Sequence, residues 1–189
     1  MKKMIVTSLL ITILVCLFFA CTTTSTSAEK PPSDIPDFYL NPPTADDAVY
    51  GVGSAKMAKL DMSRKMALAR AREDIAFQIA ASIKAAVTDY AQEAGVDDNN
   101  QVINFAETVS KQITNTKLTG AKTEKIAVGK DGTIYALVMY PVNQFVKDAE
   151  SEFVRNEDAA FAEFKASEAV KRLENEIKTN PPKSKPVSE

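Results

Sequence analysis

The segment Thr133–Tyr140 most constrains the fold, because it has the pattern of a strand with two apolar faces. Its sequence, Thr-Ile-Tyr-Ala-Leu-Val-Met-Tyr, is rich in β-branched and aromatic residues. Asp131-Gly132 precedes it and is a strong hairpin signal, so we expect Lys117–Val128 to form the partner strand. A strand that is apolar on both faces belongs at the centre of a sheet and needs cover on each side.

A long amphipathic helix, predicted over Asp61–Gln92, can provide part of this cover. Apolar or small side chains recur along it at steps of three and four residues, as on one helix face. These positions are Met62, Met66, Ala69, Ala76, Ile79, Ile83, Val87 and Tyr90. At 1.5 Å per residue the helix is about 45 Å long. Gly95 is expected to end it.

Two more helices and one more strand complete the prediction. Ala48–Ser54 has the pattern of a short strand, with glycines where another backbone comes close. A second helix is expected to start within Asp97–Asn100 and to bury the stripe Val102, Ala106, Val109 and Ile113. A C-terminal helix is expected from Asn143, through several phenylalanines and toward Ile177.

The order strand, helix, helix, hairpin, helix predicts an α+β domain. Its small three-stranded, mostly antiparallel sheet packs with the long helix, the second helix and the C-terminal helix. Three strands cannot hide two apolar faces from water unless helices, or another copy of the protein, cover them.

Residues 1–20 have the three-part organisation of an export signal. Lys2 and Lys3 precede an apolar run that ends near Phe19. This run is shorter than a typical membrane-spanning helix. Ala20 and Cys21 then place a small residue before the cleavage point and a cysteine after it, which resembles the bacterial lipobox. We predict that the chain is exported, cut before Cys21 and lipidated there. A plain secreted protein with one free thiol is the alternative.

The cysteine count agrees with lipidation. Cys16 leaves with the signal, so Cys21 is alone in the mature chain and no disulfide can form within one molecule. Lipid on its sulfur would protect the thiol in an oxidising compartment and hold the chain to a membrane. Thr22 follows, rather than the Asp that retains lipoproteins at the inner membrane. The predicted location is therefore the outer membrane, facing the periplasm.

One domain is predicted between two polar ends. Residues 21–37 form a tether rich in Ser, Thr and Pro, in which Thr22–Ser27 all carry hydroxyl groups. Residues 179–189 contain three prolines and are predicted to be a disordered tail. The intervening residues 38–178 are enough for a single domain that buries about two thirds of its unfolded surface.

Charge and composition exclude several classes of function. Removing residues 1–20 removes two of the 23 basic residues, which leaves 21 against 25 acidic residues and a net charge of −4. A weakly acidic exported domain is not a nucleic-acid binder. The chain contains no His, the commonest general base and metal ligand. A Ser or Thr nucleophile would need a Lys or carboxylate base, and no spacing marks one. We predict no catalytic residue, no metal or cofactor site, and no enzymatic activity.

Two loops have the composition of ion-binding sites, although each also has a purely structural explanation. Gly51–Lys56 lies between a predicted strand and a helix, as a phosphate-binding loop would, but it lacks a third glycine. Close packing of its backbone against the hairpin explains the two glycines equally well. Asp97–Asn100 offers oxygen ligands for calcium without the spacing of an EF-hand, and helix capping is the favoured interpretation.

The C-terminal helix carries two notable sets of side chains. The acidic set is predicted to be a solvated face: Glu150, Glu152, Glu157, Asp158 and Glu163. The aromatic set must be buried somewhere: Phe145, Phe153, Phe161 and Phe164. Packing in the core of one chain and burial against a partner, such as a second copy, both remain open.

Several segments occur together in an order typical of a known family. They are Pro36-Asp37-Phe38-Tyr39 with Pro42, Tyr50–Ala55, Arg70–Ala76, Thr116–Ala121 and Asp131–Val138. This set, over roughly residues 36–140, resembles the LPP-twenty lipoprotein family. Phe38 stands where that family usually has Trp. The resemblance implies a compact sheet-and-helix domain on an envelope lipoprotein, without known catalytic residues, related to lipoproteins around the flagellar basal body.

The sequence therefore predicts a non-catalytic envelope lipoprotein that acts as a structural or self-associating subunit of a flagellar or outer-membrane assembly. Its expected partners are the membrane, through lipid on Cys21, and either a second copy or an envelope or flagellar protein. The alternative is a membrane-tethered module that binds a small apolar or cell-wall ligand.

Overall fold

A computed structural model describes residues 34–115, 118 and 120–184 of the chain. The helices and strands in chain order are α1 (Asp37–Leu40), β1 (Ala48–Ala55), α2 (Leu60–Glu93), α3 (Asn99–Asn115), β2 (Lys122–Val128), β3 (Ile134–Pro141), α4 (Val142–Arg155), a short 3₁₀ helix (Glu157–Ala159) and α5 (Ala166–Thr179). The predicted signal, residues 1–20, lies outside the described residues, and so do Cys21, most of the tether and residues 185–189 of the tail.

The three strands form an antiparallel sheet in the order β1-β3-β2. Ile134 of β3 lies opposite Ala55 of β1 and Val128 of β2, so the apolar strand has a neighbour on each side. The predicted central strand, the hairpin and the α+β fold class are thereby confirmed. Alternate side chains of β3, from Ile134 to Tyr140, are buried in the core formed with the helices, and on the other face Tyr135 packs against Tyr39 of α1.

Helix α2 lies so close to β1 that only glycine fits at the two points of contact. A Cβ atom at Gly51 would lie 2.2 Å from the carbonyl oxygen of Ala71, and one at Gly53 would lie 2.3 Å from that of Ala67. A side chain at these glycines would therefore meet the backbone of α2 and not that of the hairpin, whose strand β3 pairs with them within the sheet, and this corrects the prediction. The small side chains of Ala67 and Ala71 let this face of α2 pack close to the sheet. The predicted apolar face is wrong in the first half of the helix, where Met62, Met66 and Ala69 are exposed.

Three side chains of α2 also form hydrogen bonds with the outer edge of β1, which β3 leaves free. The three residues are spaced four apart, so they lie on one face of the helix. Arg70 donates to the Ser54 carbonyl at 2.6 Å, Asp74 accepts from the Val52 N–H at 3.0 Å, and Gln78 donates to the Tyr50 carbonyl at 2.8 Å. This edge is consequently protected from pairing with another strand.

The outer edge of β2 is protected differently. Its pairing with β3 is irregular between Thr123 and Lys125, and most of its side chains are exposed. Irregular register and exposed lysines, such as Lys122 and Lys125, both oppose edge-to-edge association of sheets.

The end of α2 and the start of α3 lie where they were predicted. Gly95 follows α2 with a positive φ of 72°, which glycine adopts at low cost. The carboxylate of Asp98 accepts hydrogen bonds from the backbone N–H groups of Asn100 and Gln101, both at 3.1 Å. Asp98 therefore caps α3, and the predicted stripe from Val102 to Ile113 is buried against α2.

The C-terminal part of the chain differs from the prediction of one continuous helix. It forms α4 and α5, with the short 3₁₀ helix and a loop between them. Asn156 is the C-cap of α4, and its side-chain amide and its backbone N–H both donate to the carbonyl of Glu152. Glu157 then accepts from the N–H of Ala166 at the start of α5. The break lets α5 turn back and pack on α2.

Both described ends bond to the domain. Asp34 pairs with Lys130 of the hairpin at 2.7 Å, and Ser184 donates to Asp74 of α2. Among the described residues, none of the helices combines the length and apolarity that crossing a membrane requires.

We expect Gly53→Ala to destabilise the domain by about 1–3 kcal/mol, because the added methyl group meets backbone atoms of α2 that cannot move independently. Urea unfolding followed by circular dichroism measures this change. Gly95→Asn is the matched control, since nothing lies within 4 Å of a Cβ there and Asn tolerates the positive φ. Equal unfolding midpoints for Gly53→Ala and the wild type would contradict the close contact.

Candidate functional site

A cleft of about 730 Å³ opens where β1 begins and β3 ends, between the sheet and helices α4 and α5. This volume lies within the range of about 300–1,000 Å³ that is common for small-molecule sites. The inner part is apolar and consists of Ala48, Tyr50, Met139, Pro141, Val142, Val146 and Ile177. A hydrogen bond of 2.9 Å from the Val142 N–H to the Asp47 carbonyl joins two of the segments that form it.

The rim of the cleft carries charges of both signs. The polar rim residues are Asp46, Asp47, Asn143, Lys147, Glu174 and Lys178, and all are exposed. Within the described part of the chain, none of the five charged rim residues lies within 4 Å of an opposite charge. Such a cleft fits an apolar group with a small polar end better than a strongly charged ligand.

A partly buried hydrogen-bond network holds the helix that forms one wall of the cleft. Tyr140, fully buried, donates its hydroxyl to Asp148 of α4, and Gln144 donates to the other oxygen of Asp148 at 2.8 Å. Burial, followed by the hydrogen bond and charge of Asp148, raises the pKa of the Tyr140 hydroxyl far above its usual range. The hydroxyl therefore stays protonated and ties α4 to β3.

The four phenylalanines of the C-terminal region lie inside this chain. Phe145 and Phe153 are fully buried, and Phe161 and Phe164 are nearly so. Phe164 lies 4.5 Å from Phe105 of α3 between ring centroids, within a cluster that also includes Phe153 and Phe161. Packing in the core of one chain is the correct alternative, and burial of these rings against a partner is wrong.

The predicted solvated acidic face is wrong for Glu152. Its side chain is only 7% exposed and accepts two hydrogen bonds, of 2.7 and 2.9 Å, from Arg155. Glu157 lies in the connection after α4, where it bonds the first turn of α5. Glu150 and Glu163 are exposed as predicted.

The two loops that resemble ion-binding sites, Gly51–Lys56 and Asp97–Asn100, have structural roles. Gly51 and Gly53 contact α2, and Lys56 pairs with Asp131 of the hairpin at 3.2 Å. Two bonds from Thr133, followed by that from Lys56, lower the pKa of Asp131 to about 2. In the second loop, Asp98 caps α3.

The cleft has ionisable lining residues of three kinds, namely carboxylates, lysines and one tyrosine: Asp46, Asp47, Glu174, Lys147, Lys178 and Tyr50. Its described lining includes no Ser, Thr, Cys or His, and the described residues contain no cluster of three Cys, Asp or Glu side chains able to hold a metal ion. Cys21, the predicted lipidation site, lies outside the described residues.

Sequence reasoning did not find the cleft. Its lining comes from four segments that span Asp46 to Lys178, and each segment alone has the pattern of an ordinary strand end or surface helix. The only local signal is the pair Asp46-Asp47 directly before a buried strand.

Comparisons of the chain with protein-family models and with curated proteins find no match. The resemblance to the LPP-twenty family therefore stays a prediction made from the residues.

We expect the cleft to bind a neutral apolar fluorophore such as N-phenyl-1-naphthylamine, with a rise in its fluorescence on addition of fragment 28–189. Met139→Glu places a carboxylate on the apolar floor and should weaken binding at least about tenfold, because burying that charge costs more than 1.4 kcal/mol. Val154→Glu is the control, since Val154 is 60% exposed and lies outside the cleft. Unchanged binding by Met139→Glu would place the fluorophore elsewhere.

Proposed function

We propose that this chain is a non-catalytic lipoprotein of a bacterial envelope, whose domain acts as a self-associating structural subunit of an outer-membrane or flagellar assembly. Lipid on Cys21 would hold it to the membrane, with the domain on the periplasmic side. The signal-like residues 1–20 and the following Ala20-Cys21 pattern support the anchor. The ordered segments that resemble the LPP-twenty family support the setting.

The main support for self-association is a set of large apolar side chains that are exposed to solvent and do not belong to the buried core. Phe77 is 70% exposed, and Leu60 is 60% exposed. Met57, Met62 and Met66 lie on or just before the same helix and are also exposed. Exposed apolar residues concentrated on one element indicate an interaction surface more strongly than scattered ones do.

A second function has an observation of its own in its favour. The cleft between the sheet and helices α4 and α5 has an apolar floor, a polar rim and a volume suited to a small ligand. A membrane-tethered module that binds a small apolar or cell-wall molecule is therefore the alternative proposal. Fluorophore binding that depends on Met139 would support it.

Lipidation is tested by metabolic labelling of bacteria with an alkyne fatty acid. We expect the full chain to be labelled and to sediment with membranes, and Cys21→Ser to lose both properties. Cys16→Ser is the matched control and should keep the label, because residue 16 lies in the segment that is removed. Equal labelling of Cys21→Ser and the wild type would exclude this anchor.

Self-association is tested by light scattering of fragment 28–189 over a concentration series. We expect the mass to rise to a discrete oligomer, because exposed apolar surface on α2 is removed from water on association. A monomer at every concentration, together with the absence of cross-linked oligomers in cells, would contradict the proposal and favour the ligand-binding alternative.

A further inference from the structure

Six residues of α2 form one exposed face that combines apolar, small and charged side chains. Phe77 projects most, and Met62 and Met66 are 46% and 37% exposed. The spacings along the helix are three, four or seven residues, so all six lie on the same side. We call this face the α2 stripe: Met62, Met66, Glu73, Phe77, Ala80 and Lys84.

The stripe borders a groove that Phe77 itself does not line. The groove lies between α2 and α3 and has a volume of about 260 Å³. Its exposed atoms are mainly apolar, although Lys84, Glu107, Ser110 and Lys111 also line it. Ala80 and Ala81 form one wall and Ala106 part of the other. Each molecule therefore presents a projecting aromatic ring beside an apolar groove.

We propose that a second copy of this chain covers the stripe, with the two α2 helices antiparallel about a two-fold axis. An axis that crosses the stripe between Phe77 and Ala80 places Phe77 of each copy at Ala80 of the other. Each ring then enters the other copy's groove beside Ala81 and Ala106. Two-fold interfaces have this reciprocity, since the same patch is used twice.

The charges on the stripe select the same arrangement. Glu73 lies four residues before Phe77, and Lys84 lies four residues after Ala80. The axis that pairs Phe77 with Ala80 therefore also places Glu73 of each copy opposite Lys84 of the other. Both side chains are exposed, and among the described residues neither forms an ion pair in its own chain. A parallel arrangement would place like charges opposite each other.

This interface specifies the self-association proposed above and rests on it. The bonds from Arg70, Asp74 and Gln78 to β1 use the neighbouring side of α2 and leave the stripe free. The stripe therefore remains available without any change in the fold of the domain.

The test uses the full chain, purified from bacterial membranes in a mild detergent. Its mass is measured over a concentration series at excess micelles, with the detergent contribution subtracted. We expect Phe77→Ser to raise the dimer dissociation constant at least tenfold. Glu73→Lys and Lys84→Glu should each raise it, because each places like charges opposite each other, and the double variant E73K/K84E should restore it. There are two matched controls. Val154→Ser changes an exposed apolar residue of α4, and Asp89→Lys changes an exposed charge outside the stripe.

Thermal unfolding by circular dichroism first establishes that each variant is folded. A discrete oligomer that none of the stripe variants weakens would overturn this interface and leave self-association standing. Loss of the dimer in the single variants without recovery in the double variant would also overturn it. A wild-type chain that stays monomeric, or that only binds a different protein through Phe77, would overturn both the interface and the proposed self-association.

Discussion

The contact between α2 and β1 is the constraint on which the rest of the fold depends. Gly51 and Gly53 let the two backbones approach to a distance that any side chain would prevent. Polar side chains of the same helix then bond the free edge of the strand. Helix and strand are thereby fixed in one register, and the apolar residues of β3 meet the buried face of α2.

The C-terminal region completes the core by packing against the sheet and α2. The break after Arg155 allows α4 to pack by the sheet and α5 by α2, with Phe161 and Phe164 buried between them and α3. Tyr140 and Asp148 fix α4 at the end of β3. Where α4 and α5 diverge from the start of β1, the surface is left concave, and this concavity is the cleft.

The distribution of polar and apolar groups bears on function more than any single residue does. Ionisable groups inside the domain, such as Glu152, have partners that explain them structurally. The surface, in contrast, offers an apolar cleft and an exposed face of α2 around Phe77. These features suit binding and association. Under the proposed lipid anchor, a membrane would concentrate such domains in a thin layer, where weak contacts between copies become effective.

The sequence by itself determined those elements that depend on residues close together in the chain. The hairpin at Asp131-Gly132, the central position of β3, the length of α2 and a capped start of α3 within Asp97–Asn100 each follow from neighbouring residues. The tertiary structure alone decided which backbone faces Gly53, where the C-terminal helix breaks, that Glu152 is buried and that a cleft exists. Each of these depends on contacts between segments far apart in the chain. No local pattern encodes them, because burial depends on what the fold places alongside each residue.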